Sequence, residues 1–126
     1  MLTLLIVDGA NVVGSVPDGW WRDRRGAAER LRDALAAAAA RECVLPGRPG
    51  PLDVVLVVEG AARGLEPVPG VRVESATGSG DDLIVLLAER ARAEDRPCLV
   101  ATADRELLRR VAEHGAERVG PRSVRY

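Results

Sequence analysis

A chain that runs from Leu4-Leu5-Ile6-Val7 straight into Asp8-Gly9-Ala10-Asn11 has few ways to fold. The unbroken apolar run reads as a strand buried on both faces, the pattern of a parallel sheet covered by helices. Gly9 is the residue expected to let the backbone turn sharply after the strand. Such a strand carries the Asp8 carboxylate to the rim of the sheet, and in open α/β sheets ligands bind at that rim. Two later segments repeat the pattern. Leu52 to Val58 is a valine-rich run ending in Glu59-Gly60, and Cys98 to Thr102 reads as another buried strand, followed by Asp104.

The segments between these runs alternate with them as helices and turns. Arg24 to Arg41 is expected to be a helix, with Leu31 and Leu35 on one face and alanines beside them. The proline-glycine stretch from Pro46 to Pro51 breaks it off as a surface loop. Val71 to Glu74 alternates and reads as a short, half-exposed strand at a sheet edge. A small-residue turn from Ser75 to Gly80 leads into a helix from Asp81 or Asp82 to about Glu94, with Leu83, Ile84, Leu86, Leu87 and Ala91 expected on its buried side. A further helix from Asp104 to His114 ends at Gly115, and Glu117 to Val119 forms a last short strand. Asn11 to Asp23, with Trp20-Trp21, is expected to be loop, and the last residues a surface tail. The order is β-α-β-β-α-β-α-β, which places the chain in the α/β class with a mainly parallel sheet covered on both faces. With no repeat and no linker, residues 1–126 are expected to form one domain.

Composition narrows the chemistry. All 18 basic residues are arginine, so a phosphate-binding, Schiff-base or catalytic lysine is excluded. The single histidine, His114, excludes a two-histidine acid/base pair within the chain. The formal net charge of −1 gives no overall basic field. Cys43 and Cys98 form neither a metal cluster nor a disulfide framework and read as reduced thiols, which together with the absence of a signal peptide implies a cytoplasmic protein. No segment is long enough to span a membrane, so no membrane partner is expected.

Chemistry then rests on carboxylates. In a parallel sheet Asp8, Glu59, Asp81 or Asp82, and Asp104 come from distant segments to one edge. Grouped carboxylates raise one another's pKa, and a divalent cation removes that cost. Mg²⁺ takes oxygen ligands, keeps several waters and is held by one or two carboxylates. It can activate water and stabilise displacement at phosphorus. Each acid also has a structural use: Asp8 in an Asp-Gly turn, Glu59 as a solvated loop acid, Asp82 in the first turn of a helix capped by Ser79, and Asp104 as an N-cap.

Three stretches carry a family resemblance: Val7-Asp8-Gly9-Ala10-Asn11-Val12, Gly80-Asp81-Asp82-Leu83-Ile84 and Thr102-Ala103-Asp104-Arg105-Glu106. In this order and spacing they resemble the NYN domain, in the YacP-like branch of the PIN-like nuclease superfamily, over nearly the whole chain. The resemblance implies a three-layer α/β/α sandwich with a mainly parallel central sheet. It also implies a ribonuclease dependent on Mg²⁺ or Mn²⁺, with RNA as substrate. Carried over by motif, Asp8, Asp82 and Asp104 form the acidic core and metal site, with Asn11 adjacent. Asp81 fits the pattern in the other register, and Glu59 stands where the related pattern has Asp.

Arg22, Arg24 and Arg25 cluster where a helix begins, against the helix dipole, at a cost of ~0.3–1 kcal/mol each. That conflict points to a second use, since guanidinium groups fork onto phosphate. Trp20 offers a ring on which an unpaired base can stack, and Arg105 beside Asp104 is a further RNA-binding candidate. The bland counterpart is a tryptophan packed on the helix beside solvated arginines. Two functions follow: a metal-dependent ribonuclease, or a non-catalytic RNA-binding or protein-interaction module that keeps the fold. The sequence leaves the oligomeric state open, a homodimer included.

Overall fold

The computed structural model describes residues 1–124, and a five-stranded sheet runs through its centre. The strands are β1 (Leu4–Asp8), β2 (Asp53–Val58), β3 (Val71–Ser75), β4 (Cys98–Ala101) and β5 (Glu117–Val119), in the spatial order β3-β2-β1-β4-β5. Every pairing is parallel, so all the carboxyl ends share one edge. The helices are α1 (Gly9–Gly14), α2 (Arg24–Ala40), α3 (Gly80–Ala93) and α4 (Arg105–Ala112).

Side-chain alternation along β1 builds the layers. Leu5 and Val7 join Leu31 and Leu35 of α2 on one face, while Leu4 and Ile6 join Ile84 of α3 and Leu107 of α4 on the other. The result is a three-layer sandwich whose core is Leu, Val, Ile and Ala, in a chain without phenylalanine. From β1 the chain passes to β2 on one side; from β4 it passes to β5 on the other. The crevice beyond the carboxyl ends of β1 and β4 is therefore the topological switch point, the usual ligand position in open α/β sheets.

The opposite edge is closed by an ion cluster. Asp53 at the start of β2 accepts two bonds from Arg72, at 3.0 and 2.8 Å, and one from Arg96 at 2.6 Å. Arg96 Nε also donates to the Leu2 carbonyl at 2.8 Å. Burial alone would raise the Asp53 pKa, but the two arginines overcome it and hold the carboxyl below its usual value.

The structure departs from the sequence expectations in four places. The expected loop after Asp8 contains α1, because Asp8 caps it and Val12 and Val13 are buried. Gly9 is needed for close approach and not for a turn, since a Cβ there would lie 2.6 Å from the Val57 carbonyl oxygen. The expected tail is docked: Val124 is buried in the α2-side core and Arg122 Nε donates to the Ser15 carbonyl at 3.1 Å. Its last two residues, Arg125 and Tyr126, lie outside the described residues. Leu86 faces solvent, while Ala88 takes a place in the core. No helix among the described residues is long and apolar enough to cross a membrane.

Candidate active site

Asp8, the last residue of β1, stands at the switch point. Val7 is in register with Ala101, which brings Asp8 beside Thr102. Thr102 Oγ1 donates to Asp8 Oδ2 at 2.9 Å, and the Asn11 backbone N–H donates to Oδ1 at 3.4 Å as part of the α1 cap. Asp8 is only 7% exposed, and no arginine among the described residues forms an ion pair with it. Burial pushes its carboxyl up from 3.8 to about 6; the bonds from Thr102 and Asn11 oppose the rise, and the charges of Asp81 and Glu59 add to it.

The other acids arrive on separate elements. Glu59 follows β2, and its Oε2 accepts the Gly80 backbone N–H at 2.6 Å. It thereby satisfies a first-turn donor of α3, a task Ser79 at the N-cap position leaves undone with its own side chain. Asp81 is half-buried in that first turn. Its pKa is raised by burial first and then by the charges of Asp104 and Glu59, with Asp82 adding to the rise and Arg110 opposing it. Asp82, one residue on, is turned outward with its side chain 81% exposed and accepts a bond from Arg110 at 2.9 Å. Asp104 caps α4 through Oδ1, 3.1 Å from the Leu107 nitrogen, and its own N–H donates to Thr102 Oγ1 at 3.2 Å. The Asn11 side chain braces the far wall: Oδ1 accepts the Ala103 N–H at 2.9 Å.

Asp8, Glu59, Asp81 and Asp104 are thus linked by mutual repulsion; Asp82 also repels Asp81 but is exposed and paired with Arg110. Among the described residues, no three acidic, histidine or cysteine side chains stand close enough to ligate one ion between them. The donors are all hard oxygens around a buried acid that lacks a cationic partner among the described residues. That set suits Mg²⁺ or Mn²⁺ held by one or two carboxylates with waters completing the shell.

The basic candidates are divided. Arg25 Nη1 donates to the Arg63 carbonyl at 2.9 Å and so braces a neighbouring loop. The Arg22 guanidinium lies 5.7 Å from the Trp21 ring centre and that of Arg24 lies 5.4 Å from the Trp20 ring centre. Trp20 meets Trp21 edge-on at 6.0 Å and packs against the α2-side core, as its bland counterpart anticipated. Arg105 is exposed at the start of α4, next to the Asp104 cap. A cleft of about 440 Å³ opens beside the acids, with Glu59, Trp20 and Arg24 in its walls. Two residues of this region escaped the sequence analysis. Thr102 reads as the end of a buried strand and the first residue of a family motif, without a role assigned to it, and Arg63, which lines the cleft, stands in a segment with no periodicity.

Neither a family model nor a curated protein matches the chain. Solved structures do. A crystal structure of Rae1 (YacP) from Bacillus subtilis superposes with a TM-score of 0.76 at 23% identity, over 97% of this chain and 71% of that one. The fold is similar to that of YacP. A second crystal structure of the same Bacillus protein, a tryptophan-to-leucine mutant, gives a TM-score of 0.66 at 24% identity, over 95% of this chain and 70% of that one. At these identities the likeness is one of fold, and it agrees with the all-parallel sheet and its flanking helices.

Proposed function

We propose that this protein is a divalent-metal-dependent ribonuclease that hydrolyses RNA phosphodiester bonds at the crevice between β1 and β4. The observation that carries the proposal is Asp8: a buried carboxylate, repelled by Asp81 and Glu59, without an arginine partner among the described residues of a chain rich in arginine. Structures do not keep such a group for stability, because burial of an unpaired charge is costly. The YacP-like fold supports the proposal, because it is the fold implied by the motifs that carry Asp8, Asp81 and Asp104.

The chain's own residues prepare the site. Thr102 holds the Asp8 carboxylate in one orientation and also fixes the Asp104 backbone. Asn11 ties the β4–α4 connection to α1, so the two walls of the crevice keep their spacing. One or two of Asp8, Asp81 and Asp104 would ligate Mg²⁺ or Mn²⁺ directly and the rest through water, with Glu59 completing the negative wall. Bound there, the ion would acidify an attacking water and offset charge on the scissile phosphate.

The test is cleavage of labelled single-stranded RNA by the purified chain with Mg²⁺ or Mn²⁺ and with EDTA. Asp8→Asn and Asp81→Asn should each lower the rate by roughly a hundredfold or more, the scale of losing one electrostatic group in an active site. Asp82→Asn should keep most of it, because that side chain is engaged with Arg110. Full activity in Asp8→Asn would sink the assignment. RNA binding without any metal-dependent cleavage would favour the non-catalytic module instead, a function to which the employment of Glu59 as a helix cap lends some weight.

A further inference from the structure

The cleft beside the carboxylates is not lined by Asp8, Asp81 or Asp104, so the chemistry assigned above leaves it without a use. Its volume of about 440 Å³ falls within the roughly 300–1,000 Å³ of small-ligand pockets. Val13, Ala28 and Ala62 give it an apolar floor, and Trp20 forms a wall. Arg24 and Arg63 bring positive charge to it. Arg63 is anchored, donating to the Gly60 and Thr77 carbonyls at 3.3 and 3.2 Å. Arg24 has no hydrogen bond or ion pair from its side chain among the described residues and is steadied only by the Trp20 ring. The cleft also touches the acidic crevice, since Gly9 follows Asp8 and Glu59 belongs to both.

We propose that this cleft is a binding site for one unpaired nucleotide of the RNA strand, the neighbour of the phosphate held at the acids. The base lies on the apolar floor against Trp20, and its phosphate meets Arg24. The chemistry fits each part: a flat, weakly polar ring wants an apolar slot with an aromatic wall, and a phosphodiester wants a guanidinium free to fork onto it. Glu59 edges the cleft, and a base still paired to a second strand stays in its stack and cannot lay its face on this floor. The site therefore selects single-stranded RNA. This inference rests on the ribonuclease assignment for the identity of the strand, but its test does not depend on cleavage.

Binding of a fluorescently labelled RNA hexamer is measured by anisotropy in EDTA, with the RNA recovered intact, and compared with a duplex of the same sequence. The hexamer should bind and the duplex should bind at least tenfold more weakly. Arg24→Ala should weaken hexamer binding roughly tenfold, the scale of one charge-assisted contact. Ala61→Glu, at an exposed position on the cleft wall, should do the same by placing an acid there, whereas Arg90→Ala on the distant α3 surface should change nothing. Circular dichroism of each variant shows that it folds. A parent that fails to bind the hexamer, equal binding of duplex and hexamer, or unchanged affinity in both cleft variants would overturn the proposal. Arg24-dependent hexamer binding in a protein with no nuclease activity would keep the cleft and retire the nuclease assignment. Metal-dependent cleavage with KM unchanged in Arg24→Ala and Ala61→Glu would do the reverse.

Discussion

Replacing Asp8 with asparagine should make the protein more stable at neutral pH, and the gain should vanish in acid. The Asp8 carboxyl sits at about 6 in the folded chain against 3.8 when solvated. A carboxyl raised by folding stabilises the folded state below its unfolded pKa and loses that contribution as pH rises through the folded value. At ~1.36 kcal/mol per pH unit the gap amounts to roughly 3 kcal/mol when Asp8 is fully ionised. Asparagine escapes this cost. Its one amide oxygen can still accept the Thr102 hydroxyl, but the NH2 group in place of Oδ1 cannot accept the long Asn11 N–H bond, a loss of about 1 kcal/mol. The net expectation without metal is a gain of about 1–2 kcal/mol at pH 7.5. The cleaner quantity is the change in that gain with pH, from which the hydrogen-bond loss cancels. Between pH 7.5 and pH 4 the difference between variant and parent should shift by roughly 2 kcal/mol. Urea unfolding followed by far-ultraviolet circular dichroism in EDTA measures it. A difference that stays constant across that range would refute the claim that Asp8 is held against its own ionisation. So would a variant that is less stable at pH 7.5.

Two further outcomes follow from the packing. Gly9→Ala should cost about 1–3 kcal/mol, since its Cβ would meet a backbone carbonyl that cannot swing aside; an unchanged Tm would show that α1 is loosely seated. Asp53→Ala should destabilise the fold by about 1–3 kcal/mol by leaving Arg96 half-buried without its partner, yet leave the proposed RNA cleavage per folded molecule intact. Because the Asp53 pKa is lowered by folding, its contribution should be present above the ordinary carboxylate range and disappear as pH falls. A loss of stability that persists in strong acid would contradict the arginine bonds seen here.

The parts of this molecule that were legible beforehand are those with a strong period. β1, β2 and β4 show as unbroken apolar runs, and β3 shows as an alternating edge. α1 did not show, because its six residues begin and end in glycine, a poor helix former, and the Asp8 cap and burial of Val12 and Val13 hold it. The different exposure of Asp81 and Asp82 follows the helix period. Asp81 precedes the buried Ile84 by three residues and Ala88 by seven, whereas Asp82 precedes the exposed Leu86 by four. Glu59 was illegible for a different reason. Its partner is a backbone N–H on another element, and side-chain patterns carry no trace of such a bond. The same holds for Asn11, whose oxygen serves the Ala103 amide.

Among the described residues the buried core holds no Trp, Tyr or Phe ring, and this has a spectroscopic consequence. Trp20 and Trp21 stand together in one turn at the cleft, so intrinsic fluorescence excited at the indole band watches that turn and not the sheet. An unfolding curve recorded that way reports the opening of the cleft wall. If it runs ahead of the loss of helical ellipticity, the cleft wall opens as a unit separate from the rest of the fold. If the two coincide, the wall and the sheet rise and fall together.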